Sequence, residues 1–293
     1  MAKLKSTGGS YPPPVKKTRW VGIVFFIILH LVALIAAPLY VIYHGLSAAE
    51  WVLFGVYTVG TSMAITAGYH RLFAHTTYKA NPVLRFLLLF LGAATFEQSA
   101  LKWASQHRQH HLFTDTDQDP YNIHKGFWYA HVGWILFWKH KVNYESVMDL
   151  RASKLVMHQH TWYSVWSVGA GMILPLAIGF AIGQPLGVFI MTIALRITLV
   201  MHSAFFINSY AHAFGKRNYD GTLSARDHWL GAVITNGEGY HSYHHRYPND
   251  YRNGIRWYHW DPTKWFIFTL SKIGVTWDLK RTPLSRLAAL SAV

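Results

Sequence analysis

The stretch WVLFGVYTVGTSMAITAGYHRLFAH, residues 51–75, decides how the rest of the chain is read. Trp51 to Tyr69 carries no charge and is interrupted only by hydroxyls and glycines. That length is close to the ~20 residues a helix needs to cross ~30 Å of hydrocarbon. The run then ends in two histidines, His70 and His75, with Arg71 between them. A membrane span that delivers metal-ligand side chains to one rim of the bilayer is therefore the pattern to seek elsewhere.

Working outward, Trp20 to Tyr43 is apolar apart from His30, and Trp162–Gly183 and Leu186–Ile207 form a second apolar pair. The chain reads as an all-α integral membrane protein with four transmembrane helices in two hairpins, near 20–43, 51–69, 162–183 and 186–207. Composition agrees: 14% of residues are charged, against about 25% in soluble proteins. The first run is too long for a cleaved signal peptide, lacks a small-residue cleavage site and is followed at once by its partner. Lys3, Lys5, Lys16, Lys17 and Arg19 precede it, whereas the turns His44–Glu50 and Gly183–Pro185 hold no Lys or Arg. The positive-inside bias then places both termini and the long middle segment in the cytoplasm.

The expected organisation is a basic tail (1–18, with Pro12–Pro14, disordered or lying on the membrane), a membrane domain (19–275) and a C-terminal tail (276–293). Within the domain, 70–161 and 208–275 build a helical cytoplasmic cap. Pro82 to Leu101 is apolar but lies between two histidine clusters, so it reads as an amphipathic or partly embedded helix; a fifth span would put those clusters on opposite faces. The net charge of +14 fits this topology, attraction to anionic lipid and docking of an acidic partner. The basic residues flank membrane segments, which argues against nucleic acid. The absence of cysteine excludes thiolate-ligated haem, cysteine-ligated iron–sulfur clusters and disulfides.

Nineteen histidines remain to be explained. His30, His44, His124, His131, His140, His158, His160, His202, His228 and His259 are scattered and read as hydrogen-bonded or interfacial side chains. The others are grouped. His107, His110 and His111 have i, i+3, i+4 spacing, one face of a helix, and His241, His244 and His245 repeat it about 130 residues later. His70 and His75 stand about 140° apart on a regular helix and converge only if it ends or bends between them. Asn208 and His212 share a face at the end of the fourth span. All lie at one membrane rim, so nine imidazoles can fill two metal spheres, a His-rich dimetal site suited to Fe, Zn, Cu or Ni. Such rings need acceptors on their other nitrogens, and Glu97, Asp115, Asp117, Asp119, Asp227 and Glu238 are nearby in sequence. Arg196, about mid-membrane at 1.5 Å per residue, reads as a structural tie to helix ends or polar groups.

At these residues the chain resembles the membrane stearoyl-CoA (acyl Δ9) desaturase family. The matching pieces are ITAGYHRLFAH (65–75), HRQHH (107–111), NSYAH (208–212) and GEGYHSYHH (237–245), with Asp119-Pro120, HVGW (131–134) and DYRNGIRW (250–257). The resemblance spans roughly 19–275. It implies two irons on His70, His75, His107, His110, His111, His212, His241, His244 and His245 as the catalytic set, with Asn208 reaching one iron through water. It implies O2 as cosubstrate, and an electron donor such as ferredoxin, rubredoxin or cytochrome b5 with its reductase. Zinc is an alternative occupant in a purified sample. The product implied is a cis double bond, at Δ9, in a long acyl-CoA.

The family also implies a bent acyl tunnel. Trp103 matches the bend residue, Glu97 and Ala204 do not match its polar partners, and Ser62 and Thr58 take the tunnel-end positions. Lys139 is kept at the headgroup site, but Ser105, Gln106, Trp138 and Gly22 depart from the family there. An acyl-lipid or acyl-carrier-protein substrate therefore stays open. A di-iron membrane hydroxylase is the nearest rival. A metal transporter or haem carrier would place its histidines inside the spans, and a zinc hydrolase would leave ligands unexplained.

Overall fold

The computed structural model describes residues 15–139 and 141–283; expectations for residues 1–14, His140 and 284–293 fall outside these. Four helices are long and apolar enough to cross a membrane: α1 (Trp20–His44), α2 (Ala48–Ala74), α6 (Tyr163–Ala181) and α7 (Pro185–Ala213). Between the two hairpins run α3 (Pro82–Ala93), α4 (Ala100–Phe113) and α5 (Lys154–Thr161); after them come α8 (Trp229–Ile234), α9 (His241–Arg246) and α10 (Pro262–Lys272). Two short antiparallel ribbons pair Val15–Lys16 with Trp138–Lys139 and Lys79–Ala80 with Thr276–Trp277.

Local chemistry sets the boundaries. Ser47 and Glu50 form a reciprocal capping box that starts α2, and Tyr40 Oη donates to Glu50 at 3.0 Å, closing the first hairpin. Asn81 and Asp261 cap α3 and α10, each followed by proline in the first turn. At 12 residues α3 is too short to span, as the sequence implied.

The spans differ from regular helices in one respect. Each contains π-helical winding, and in α2 it runs over Ala64–Ala74. His75 N–H therefore bonds to His70 C=O at 3.0 Å, an i→i+5 closure. Residues five apart fall on one side of such a turn, and α2 ends at Ala74, so His70 and His75 converge where the winding widens and the helix stops. Wider winding also carries α2 to Ala74 rather than Tyr69. In α7 the winding returns to α at Arg196, and the chain breaks at Ser209 between Asn208 and His212.

Arg196 is fully buried. Its guanidinium donates to the carbonyls of Thr192 (2.9 Å), Ala94 (2.6 Å) and Gly171 (3.0 Å), which joins α7 to the end of α3 and to α6. Gly171 permits this approach, because a Cβ there would come within 2.9 Å of Ala94 O. Three scattered histidines form another tie: His30 Nε2 faces His202 Nε2 (2.7 Å), and His202 Nδ1 faces His131 Nε2 (2.8 Å). His131 Nδ1 in turn meets Ser209 Oγ at 2.9 Å.

Candidate metal centre and acyl cleft

Two sets of imidazole nitrogens converge above the spans. One comprises His70, His75, His107, His111 and His244, the other His110, His212, His241 and His245. Within each set the nitrogens lie within 4.8 Å of one another. The two HxxHH boxes are shared reciprocally. From α4, His107 and His111 enter the first set and His110 the second; from α9, His241 and His245 enter the second and His244 the first. The i, i+4 pair and the residue between them therefore serve neighbouring sites.

The donor chemistry fits metal ions. Nε2 atoms face one another at 2.8 Å (His75–His107), 3.0 Å (His70–His244) and 3.2 Å (His110–His245). Burial first, then the neighbouring rings, pushes His75, His107, His111, His241, His244 and His245 well below the usual imidazole range. They are neutral at pH 7, the state a metal ligand needs. Outer nitrogens are held by acceptors: His110 Nδ1 by Asp119 (2.8 Å), His70 Nδ1 by Glu238 (2.8 Å), and His212 Nδ1 by Ser224 Oγ (2.6 Å). Ser224 Oγ donates onward to Asp115. Each contact puts the ring proton outside and leaves the Nε2 lone pair facing inward.

Of the carboxylates flagged in the sequence, Asp119 and Glu238 touch rings and Asp115 does so through Ser224. Asp227 instead accepts from Ser242 N–H (2.8 Å) and Tyr243 N–H (3.2 Å) in the first turn of α9. Asp117 is exposed. Arg71, the charge between two ring ligands in the motif, has no role in the sequence reading. It is buried and bonds to Glu238 (2.9 Å), Asp261 (2.9 Å) and Tyr251 C=O (2.8 Å). Glu238 reaches this position from a turn where Gly237 has φ +100° and Gly239 lies so close to α8 that a Cβ would collide with Ala232 N.

The family model "Fatty acid desaturase" matches residues 48–270. The chain belongs to the fatty acid desaturase family. It is 40% identical over 262 residues to "Probable acyl-CoA desaturase" of Schizosaccharomyces pombe, covering 87% of this chain and 55% of that one. It is 39% identical over 229 residues to "Acyl-CoA desaturase 1" of Saccharomyces cerevisiae, covering 77% and 44%. It is 37% identical over 291 residues to "Stearoyl-CoA desaturase" of Capra hircus, covering 96% and 79%. The chain thus spans about half the length of these fungal desaturases and about four-fifths of the goat one.

Beside the histidines of this desaturase-family chain lies a narrow cleft whose lining includes Ile65, Thr66, Trp103, Ala204, Phe205 and Asn208. Glu97, His70 and His107 also face it. Trp103 stacks on His107 with ring centroids 4.8 Å apart. Asn208 lines the cleft beside the histidines. Ser62 and Thr58 precede Ile65, the first α2 residue in the lining, and are outside it; Thr58 Oγ1 donates to Phe54 C=O at 2.7 Å.

The cleft shares Gln106, Trp134 and Ile135 with a wider cavity of about 210 Å³ lined by Lys17, Arg19, Lys102, Trp138 and Lys139. Lys139 is joined there by Lys17, Arg19 and Lys102, which the sequence reading had assigned to topology or passed over. Burial, with Arg19 and Lys139 nearby, pulls Lys102 down to about 8. Ser105 and Gly22 are outside this lining; Ser105 Oγ is bonded to Asn143 C=O at 3.2 Å.

Proposed function

We propose that this chain is an acyl-CoA desaturase. It removes two hydrogens from adjacent methylenes of a long acyl chain, using O2 and two external electrons, and leaves a cis double bond at Δ9. The observation that supports this reading is a four-cation cavity that shares Gln106, Trp134 and Ile135 with a narrow cleft walled by His70 and His107. Lys17, Arg19, Lys102 and Lys139 suit the phosphates of an anionic carrier. Ile65, Phe205 and Ile207 exclude water, and Trp103 presses the chain against the histidine wall. Catalysis here is largely orientation of an unactivated C–H pair.

The nine histidines would hold two irons, which supply the O2-dependent hydrogen abstraction when bound. Asp119, Glu238 and Ser224 keep the Nδ1 protons outward, and Asn208 faces the cleft beside them. The cap and both termini face the cytoplasm in this reading, where a ferredoxin, rubredoxin or cytochrome b5 with its reductase supplies electrons. Expression in a host with such a donor, followed by lipid analysis, tests it. A new cis-monounsaturated chain that disappears in His110→Ala is expected. A hydroxylated product would refute desaturation, and a double bond confined to intact glycerolipid would refute the CoA carrier.

A further inference from the structure

The cleft contains a second carboxyl that none of the metal chemistry above uses. Glu97 is 4% exposed, lines the cleft with His70 and His107, and its Oε1 has no hydrogen-bond partner. The Trp103 indole N–H donates to the same carboxyl, so one of its oxygens is engaged and Oε1 is free. A buried polar atom without a partner is costly and marks a place where something else is to bind or react.

The loop that carries it is strained on both sides. Phe96 has φ +63° and Gln98 φ +80°, the left-handed region that residues with a Cβ avoid. Neighbours enforce this shape. Gln98 N–H donates to Tyr163 Oη (3.0 Å), and Gln98 Nε2 donates to Gln106 Oε1 (3.3 Å). Phe96 packs on Phe25 at 5.5 Å and so tightly on Gly171 that a Cβ there would lie 2.7 Å from its ring. Two adverse dihedrals flanking one inward side chain show that the fold is built to present Glu97 to the cleft.

Of the two carboxyls lining the cleft, one is ionised. Glu238 faces the Arg71 guanidinium, and its carboxyl sits below the usual range despite burial. Among the described residues no Lys or Arg lines the cleft with Glu97; the titratable groups around it are Tyr69 and Tyr163 and the cleft rings His70 and His107. Burial pushes its carboxyl well above the usual range. Of the two carboxyls of the cleft, Glu97 is thus the one whose surroundings favour the protonated form.

We infer that Glu97 is the proton donor of this site, delivering the proton on its carboxyl to oxygen as it is reduced beside the acyl chain. This rests on the desaturase reading. The balance there is O2, two electrons, two protons and the two methylene hydrogens, giving two waters and the alkene. Glu97 gives up one proton at a time and becomes a carboxylate. The carboxylate then takes its proton back from water, and Gln106, which lines both cavities, stands on the side that faces the cationic mouth.

The test is Glu97→Gln, which keeps the shape and the Trp103 contact but has no acidic proton. Infrared difference spectra of the metal-free protein at pH 7 should show a protonated-carboxyl band that the variant lacks. In the iron-loaded protein the variant should lose ~100-fold in kcat with KM little changed, and release more hydrogen peroxide per O2 consumed. Glu97→Asp, still an acid, should recover part of the rate. Wild-type turnover and coupling in Glu97→Gln, or no band lost, would overturn the assignment. A wild-type protein that forms no alkene would instead overturn the desaturase reading and with it the delivery step, while the infrared result would still decide where the proton sits.

Discussion

Replacing Glu238 with Gln should separate the two metal sites. Glu238 is fully buried, lies 2.8 Å from His70 Nδ1 and accepts from Arg71 Nη2 at 2.9 Å and from Asn253 Nδ2 at 2.5 Å. The amide can still accept from His70 but carries no charge to raise the basicity of the ring. Losses of outer partners of this kind cost ~10–100-fold in metal affinity, about 1.4–2.7 kcal/mol. His70 belongs to the five-histidine set alone, so one metal should be affected. The same change leaves Arg71 with Asp261 as its one carboxylate partner. Breaking a buried pair costs about 3–5 kcal/mol, and Asp261 holds the cost near the lower end, or roughly 6–12 °C in Tm. Asp119→Asn is the control. Asp119 holds His110 of the other set and otherwise accepts backbone N–H groups of Asp115 and Tyr121, so it should weaken the second metal without the large loss of stability. Metal per chain after dialysis against graded chelator, with thermal unfolding of the metal-free proteins, reads both effects. Simultaneous loss of both metals in each variant, or a Glu238→Gln protein that unfolds at the wild-type temperature, would refute this partition.

Lys102 loses its charge as pH rises through about 8, so KM for a long-chain acyl-CoA should climb between pH 7 and 9. Lys102→Gln should start high and stay flat across that range; parallel profiles would remove Lys102 from the mouth. Thr58→Tyr should shorten the longest acyl chain accepted, because Thr58 lies about 6 Å beyond Ser62 along α2; an unchanged length preference in products from graded substrates would show that the chain never reaches it. Arg196→Met strands the carbonyls of Ala94 and Gly171, at about 1–3 kcal/mol each. The monodisperse yield in detergent should fall, and wild-type yield would mean those carbonyls find other donors.

Much of the site was legible because its chemistry is periodic. The i, i+3, i+4 histidines announce one helix face, and the apolar runs announce the spans that bring those faces to one rim. Spacing alone hid the partition. On a single helix, His107, His110 and His111 form one stripe, and nothing in the stripe says that His110 turns towards a different set of histidines. That depends on α9 crossing α4 and offering His244 to one set and His241 and His245 to the other. The convergence of His70 and His75 needed the helix to end or bend between them, and α2 both widens and ends there. A regular helix holds them apart, and the i→i+5 winding that joins them leaves no mark that a 3.6-residue period detects.

Charge was harder to read than periodicity. Lys17 and Arg19 precede the first span, where topology already accounts for basic residues, so their place in the mouth was invisible until the Val15–Lys16 strand paired with Trp138–Lys139. That ribbon moves cations from the N-terminal segment to the positions where Gln106 and Trp138 left the family pattern. The departures that put an anionic carrier in question are thus offset by charge from another part of the chain. A neutralising Lys17→Gln/Arg19→Gln pair should raise KM for an acyl-CoA and leave kcat intact; an unchanged KM would return the carrier question to where the sequence alone left it.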